Sequence, residues 1–513
     1  MSRLIIVLVL IAAVHYNGLC QQFPLDSTFG IIGKTIIDIN STFDAKNNID
    51  NQSDHSIILA TSVFNTSTQN YDFCLLRFGP NGMLDLTFGN QGVILFDIGN
   101  KDDLAYNVKV QPDDKILVVG TTGITSNWDF VIARFNADGT IDESFGDNGF
   151  VKRNKYFSDI FYTLALDKDL KIIVAGYSNS LSYIFRFLPN GETDISFGNN
   201  GIATLNLGGA DDETKVNAIS ITAEDDIYIS GELGGNSIRG FVTKFNSNGQ
   251  KVISLGSNGS YITPSNKYCH VFSCCLQPDN KLLVAGNQLI MTPTVKSDFL
   301  VFRLLNNGIL DTTFNHTGWV NVNFERTANV CNKVIVQNLN AIFALGYSDN
   351  IPASDANLSV VKLLENGSPD LTWGEQGKIS YDIGSTIDIA YGAFIDYTDR
   401  LVVSGIYGDD NNALLCRFKT SIYDNTQPLA EAQNKLNIYP NPCKEFLCID
   451  LPFKTFKAEK LKFSDVMGKQ YYPSINYVSK TIIQIEAGML PTGVYIVEYC
   501  GESVLYTGKL IKD

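Results

Sequence analysis

Basic residues are in short supply in this chain: 39 lysines and arginines face 54 aspartates and glutamates across 513 residues, a net charge of −15. A surface of that sign gains nothing from nucleic-acid phosphates or an anionic membrane face, so neither partner is expected. Long apolar runs are absent beyond the first twenty residues, which excludes an integral membrane helix. Charged side chains are only 18 % of the total, against 42 glycines and 23 tyrosines. That balance favours strands and tight turns over long charged helices. No stretch carries a 3.6-residue apolar stripe of useful length.

The N-terminus has the layout of a secretory signal peptide at residues 1–20. Arg3 supplies the positive region, Leu4 to Val14 the apolar core, and Gly18 and Cys20 the small residues before cleavage, so that the mature chain starts at Gln21. Lipidation at Cys20 would need a small residue immediately before it, and Leu19 stands there. Cleavage leaves nine cysteines, an odd number without fixed places in the repeat below. That is no disulfide framework, although Cys443 and Cys448 with Cys500 could supply one bridge.

What the chain does have is repetition. The phrase RFNADGTIDESFGDNG at Arg134 returns in related form at Arg77, Arg186, Lys244, Arg303 and Lys362, with spacings of 57, 52, 58, 59 and 59 residues. A second phrase follows about forty residues later: KILVVG at Lys115, KIIVAG at Lys171, DIYISG at Asp226, KLLVAG at Lys281, AIFALG at Ala341 and RLVVSG at Arg400, with SIILAT at Ser56 as a seventh copy. Around residue 115 an alternating stretch, a Pro-Asp-Asp turn and a short apolar run ended by glycine make a hairpin, and Phe130 to Phe135 opens the next strand. Each unit is thus a small antiparallel meander of four or five strands that cannot bury both faces alone.

Such units stack radially as blades, so the expected fold is all-β: a seven-bladed β-propeller over residues 21–418. The halves at its two ends complement each other. LDSTFG at Leu25 lacks the first part of the phrase, whereas Arg417 and Phe418 lack the second. Asp26 to Phe29 is therefore expected to pair beside Ala413 to Phe418 and complete the last blade. The copy at Lys244 has Val252 and Leu255 where others have aspartate and phenylalanine, and its blade is expected to be irregular. The phrase ARFNADGTIDESFGDNGF, preceded by QPDDKILVVG, resembles the delta-60 repeat family of secreted bacterial proteins, a resemblance that carries no common activity.

Residues 419–433 are polar and read as a linker. From residue 434 the charge changes sign, with 10 lysines against 8 acidic residues, while residues 21–433 carry −18. Strand-like pieces over 434–513 suit a small C-terminal β-sandwich. This tail resembles the type A C-terminal sorting domain of the type IX secretion system of Bacteroidota. The resemblance is carried by IYPNP at Ile438, SDVMGK at Ser464, LPTGVYIV at Leu490 and GKLIK at Gly508, with Tyr439, Pro440, Asn441, Pro442, Gly493, Tyr495, Gly508 and Lys509 as sorting-motif residues. It implies the type IX secretion machinery as a partner, export across the outer membrane, and attachment of the body to the cell surface.

No residue is assigned a catalytic, cofactor-binding or metal role. Arg77, Arg134, Arg186, Arg303 and Arg417 recur with Asp85, Asp142, Asp194 and Asp311, and a residue needed by every blade reads as structural. Cys269, His270, Cys274 and Cys275 are dense in metal-type ligands. On an extended strand, however, the outer pair stand about 20 Å apart and His270 faces the opposite side. His316 near Trp319 reads as packing, and the acidic turns Asp113-Asp114 and Asp211-Asp212 lack the full alternating calcium loop. The expected function is a noncatalytic binding or scaffold protein, with a glycan or protein ligand at the propeller loops or channel. The alternative is a hydrolase of glycans or polyesters, using acidic residues that converge on the channel.

Overall fold

The computed structural model describes residues 25–38, 47–124, 127–154, 159–208, 213–235, 237–291, 295–337, 341–350, 355–421, 436–439, 443–450, 460–465, 470–477, 482–500 and 505–512. Residues 1–20, read as the signal peptide, lie outside these. The chain separates into two compact units, one ending at residue 422 and the other beginning at residue 423.

Among the described residues the first unit holds seven four-stranded antiparallel sheets. Six are formed by consecutive strands, spanning residues 48–96, 102–153, 159–205, 214–262, 268–322 and 328–381, and are numbered here as blades 1 to 6. Their innermost strands touch in sequence around a ring, and the strand Asp388–Ile395 of blade 7 meets both Ala328–Gln337 and Asn48–Asn51, which closes it. Apolar side chains fill the seams between sheets. Phe130, Phe161, Phe185 and Phe187, for example, pack between blades 2 and 3 with ring centroids 4.6–6.0 Å from Phe130.

Blade 7 is assembled from both ends of the unit. Its outer strand is Lys34–Ile37, paired antiparallel to Asn412–Phe418 with Lys34 opposite Cys416 and Ile37 opposite Ala413. Closure thus follows expectation, but the pairing strand lies further along than Asp26 to Phe29. Those residues form the turn that follows a single bridge between Leu25 and Phe418, and Asp26 serves through its side chain instead. Its fully buried carboxylate accepts from Arg417 Nε at 2.7 Å and also pairs with Arg400.

The recurring phrase explains how neighbouring blades lock. Asp85, Asp142, Asp194 and Asp311 accept from the Nε of Arg77, Arg134, Arg186 and Arg303 at 2.7–2.8 Å. Lys362 repeats the pair with Asp370 at 2.7 Å. Each guanidinium lies over the phenylalanine of its own phrase, Phe88, Phe145, Phe197 or Phe314, at 4.5–4.7 Å. Its Nη1 donates to a turn carbonyl of the next blade, at Ala137, Pro189, Ser247 and Glu365 respectively. Arg417 does the same across the closure, lying over Phe29 at 4.6 Å and donating to Pro80. One buried cation therefore ties a turn, a ring and the adjacent blade together. The turn glycine is part of the fit: at Gly82, where φ is 79°, an added Cβ would stand 2.5 Å from the Phe29 ring.

Blade 4 keeps this backbone despite its altered phrase, correcting the expected irregularity. Val252 N still donates to Lys244 O at 2.9 Å and Leu255 fills the phenylalanine site, while Lys244 turns to Asp226 at 2.6 Å.

The second unit is a sandwich of two four-stranded sheets, Asn437–Tyr439, Phe446–Asp450, Ile482–Glu486 and Ile475–Tyr477 in one and Gln470–Tyr471, Leu461–Asp465, Gly493–Cys500 and Leu505–Lys512 in the other. Leu447, Ile449, Ile483 and Ile485 from the first meet Phe463, Val497 and Leu510 from the second. Cys74, Cys269, Cys274, Cys275, Cys331, Cys416 and Cys448 are free thiols. The Cys500 side chain lies outside the described ones, and with it the suggested bridge.

The clamp carboxylates govern acid stability. Burial by itself raises the Asp194 pKa, but Ser196, Lys171 and Arg186 hold it down at about 2, and Asp311 and Asp370 are lowered in the same manner. An unfolded aspartate titrates near about 3.9. Such groups contribute stability that is complete above that value and is lost as pH falls through the folded pKa. The denaturant midpoint is accordingly expected to drop steeply between about pH 4 and pH 2, and less steeply in Asp311→Asn. A midpoint that is flat or rises over this interval would contradict the clamp.

Candidate functional site

The axial channel arises from one backbone device. In blades 2 to 7 the innermost strand slips register by one residue against its neighbour, leaving Tyr106, Tyr162, Asn217, Phe272, Asn332 and Tyr391 as the extra residues. A bulge re-aims a side chain, and all six of these line a single cavity of about 260 Å³ together with Asn48 of blade 1.

The glycine that ends the second phrase permits the bulge. An added Cβ at Gly120, Gly176, Gly231, Gly286, Gly346 or Gly405 would stand 1.9–2.1 Å from a carbonyl oxygen of the bulged strand. Blade 1, whose SIILAT has Thr61 at that place, pairs Asn48–Asn51 with no register shift.

Amides and aromatic rings dominate the wall. Asn48, Asn217 and Asn332 spend their amide donors on the next blade, at Tyr106 O, Val271 O and Ala390 O, 2.6–2.9 Å away. Tyr106 and Tyr162 meet edge to face at 4.9 Å, and Tyr162 packs on toward Tyr177. Burial raises the Tyr162 pKa, so its phenol stays neutral at any physiological pH. No aspartate or glutamate lines the cavity among the described residues.

Lys333 is the charged residue of this wall. It follows the bulge in blade 6 and is half-buried, and its ammonium makes no hydrogen bond or ion pair among the described residues. Burial pulls its pKa below the ordinary lysine value, opposed in part by the neighbouring Cys275 and Cys274. Lys109 and Asp50, whose charges also act on it, pair with each other at 2.7 Å.

The residues weighed in sequence are dispersed by the fold. Cys269 is fully buried and Cys274 nearly so, while His270 turns the other way, its Nδ1 3.1 Å from Glu232 Oε1 and its ring stacked on Phe272. His316 is exposed in a turn, whereas Trp319 packs on Phe302 at 4.7 Å. Asp114 binds the backbone N–H of Ser53 in blade 1 at 2.7 Å, and Asp211-Asp212 lies outside the described residues. Among the sorting-motif residues, Tyr439 ends a strand and Pro440, Asn441 and Pro442 lie outside the described residues. Tyr495 is buried and donates its hydroxyl to Pro491 O at 2.6 Å. In the same sheet Gly493 pairs with Lys512, Gly508 with Val497 and Lys509 with Ile496. The channel residues were not visible in sequence: the bulge position holds tyrosine, asparagine or phenylalanine, and the glycine opposite was the available signal.

Seven sheets around an axial channel define a β-propeller. Comparison with known families adds that residues 52–88, 111–145, 169–197 and 277–314 match the domain of unknown function (DUF5122) beta-propeller, and residues 437–513 the secretion system C-terminal sorting domain. The chain carries DUF5122 propeller repeats ahead of a type IX sorting domain, which accords with an origin in Bacteroidota. Each repeat match ends on a clamp phenylalanine, Phe88, Phe145, Phe197 or Phe314.

No curated protein matches the chain. Similar solved structures include a protein of unknown function from Dyadobacter fermentans, at 11 % identity over 62 % of this chain and 94 % of that one, with a TM-score of 0.38. The propeller domain of a Pyrococcus furiosus protease is 8 % identical over 71 % and 90 %, at 0.35. An arabinanase from Penicillium chrysogenum is 10 % identical over 75 % and 98 %, at 0.39. No described helix is long and apolar enough to cross a membrane.

The bulge account predicts that Gly286→Ala lowers stability by about 1–3 kcal/mol through forced overpacking. Gly234→Ala, where the added atom meets nothing nearer than 3.5 Å, is expected to be neutral in the same thermal melt.

Proposed function

We propose that this propeller protein, which carries a type IX sorting domain, is a noncatalytic binding protein held at the cell surface, and that its ligand enters the axial channel with an anionic group, a carboxylate on a glycan for example, directed at Lys333. The observation that carries this reading is the unpaired ammonium in a wall of neutral amides and rings. A half-buried cation without a partner is unfavourable for the empty protein and becomes favourable once an anion meets it. The aromatic walls suit the apolar faces of a sugar ring. Hydrolysis by paired carboxylates would need two such groups about 5–9 Å apart. The described cavity wall supplies none, and the nearby Glu232 is held by His270.

The test is a panel of neutral and acidic glycans offered to the mature protein, with hydrolysis followed in parallel. Binding of acidic members without turnover is expected, and Lys333→Met should weaken it at least about tenfold, the value of one charge-assisted contact. Product release, or binding untouched by the substitution, would overturn the reading.

The sorting domain makes a separate prediction. Truncation after Gln433 should leave the protein in the periplasm, and fractionation would show it. Undiminished surface display would remove the role assigned to the tail.

A further inference from the structure

Blade 1 differs from its siblings at one place on its outer side. In blade 2, Asp129 accepts from the Asn154 amide at 2.5 Å and from Lys152 at 3.1 Å. In blade 5, Asp298 accepts from the Asn323 amide at 2.6 Å. The matching positions of blade 1 hold Asp72 on the third strand, Asp97 in place of the asparagine, and Leu95 in place of Lys152, as the strand pairings align them. Both donors that meet the aspartate in blade 2 are missing from these positions.

A third carboxylate converges on the spot. Asp103, at the start of the inner strand Asp102–Val110, places an oxygen so that one atom each from Asp72, Asp97 and Asp103 lie within 4.8 Å of one another. Asp72 is 1 % exposed and Asp103 fully buried. One oxygen of each is occupied: the Asn65 amide donates to Asp72 Oδ2 at 2.7 Å and the Ile98 N–H to Asp103 Oδ2 at 2.6 Å. The other oxygens, Asp72 Oδ1 and Asp103 Oδ1, are buried with no hydrogen-bond partner. Asp97 accepts from Asn100 N at 2.7 Å and is exposed, which leaves a way in from solvent. No ion pair among the described residues reaches any of the three.

Two buried, partnerless carboxylate oxygens beside a third carboxylate are a strongly unfavourable arrangement for an empty protein. Hard divalent cations take oxygen ligands at 2.3–2.6 Å, so oxygens up to about 4.8 Å apart can share one ion. We infer that Asp72, Asp97 and Asp103 form a calcium site that fastens blade 1 to the first strand of blade 2. Waters on the Asp97 side would fill the remaining positions. The ion takes the place of the amide and ammonium that meet Asp129 in blade 2.

The test uses the mature full-length chain stripped with chelator, read by calorimetric titration with Ca²⁺, by Tb³⁺ luminescence and by thermal melting. Wild type is expected to take up Ca²⁺ below about 1 mM, the range of extracellular sites, with a rise in melting temperature. Asp97→Asn restores the asparagine of blades 2 and 5. It is expected to fold, to melt at or above chelator-treated wild type, and to lose one equivalent of Ca²⁺ and the calcium-dependent shift. A wild type that takes up no Ca²⁺ in this range would overturn the site, and so would Asp97→Asn with undiminished stoichiometry. Neither result bears on the channel, since Lys333→Met should leave the calcium response intact.

Discussion

The propeller depends on an arginine held at the junction of two blades. Its carboxylate partner sits on the same blade, its ring partner lies beneath it, and its Nη1 reaches the neighbour's turn. Burying a guanidinium is unfavourable unless its donors are met, and one of the acceptors, the turn carbonyl, is in place only when two blades stand side by side. Arg303 and Asp311 are 3 % and 2 % exposed, so removing either leaves the other charged and enclosed. The clamp therefore sets spacing and angle between sheets as well as adding stability, and the ring results from its repetition.

The proposed sites lie where this repeated scheme is relaxed. Every bulged strand has the same backbone, yet its extra residue is Tyr106, Tyr162, Asn217, Phe272, Asn332 or Tyr391 according to the blade. Variation there alters the channel without disturbing the clamps, because the bulge faces the axis while the Arg–Asp pairs tie the seams. Lys333 on blade 6 and the Asp72, Asp97, Asp103 group where blade 1 meets blade 2 are two further departures, neither of them repeated around the ring.

The blade repeat and its ionic pairs could be read from the chain because both recur at a fixed spacing. The clamp was legible as Arg134 and Asp142 eight residues apart, and the glycines of KILVVG and KLLVAG were visible without their purpose. Closure was anticipated from complementary half-phrases, but Asp26 looked like part of a strand when it is the counter-ion of Arg417 and Arg400. The residues that line the channel escaped notice because a register slip breaks the alternation from which facing residues are read. Asp72, Asp97 and Asp103 come from two blades and three strands or their ends, so only the folded sheet order brings them together. No local pattern marks them.

The outer strand of blade 7 has a temporal consequence. Asp26 and Arg417 are 391 residues apart, so the segment at Asp26, which is synthesised first, has no mate until the tail end of the propeller follows it. Until then both faces of the gap expose unsatisfied backbone and apolar surface. The docking of that segment is a late event of high contact order, and an exporter that accepts only finished cargo would have, in this junction, a single point reporting that the whole ring has been made.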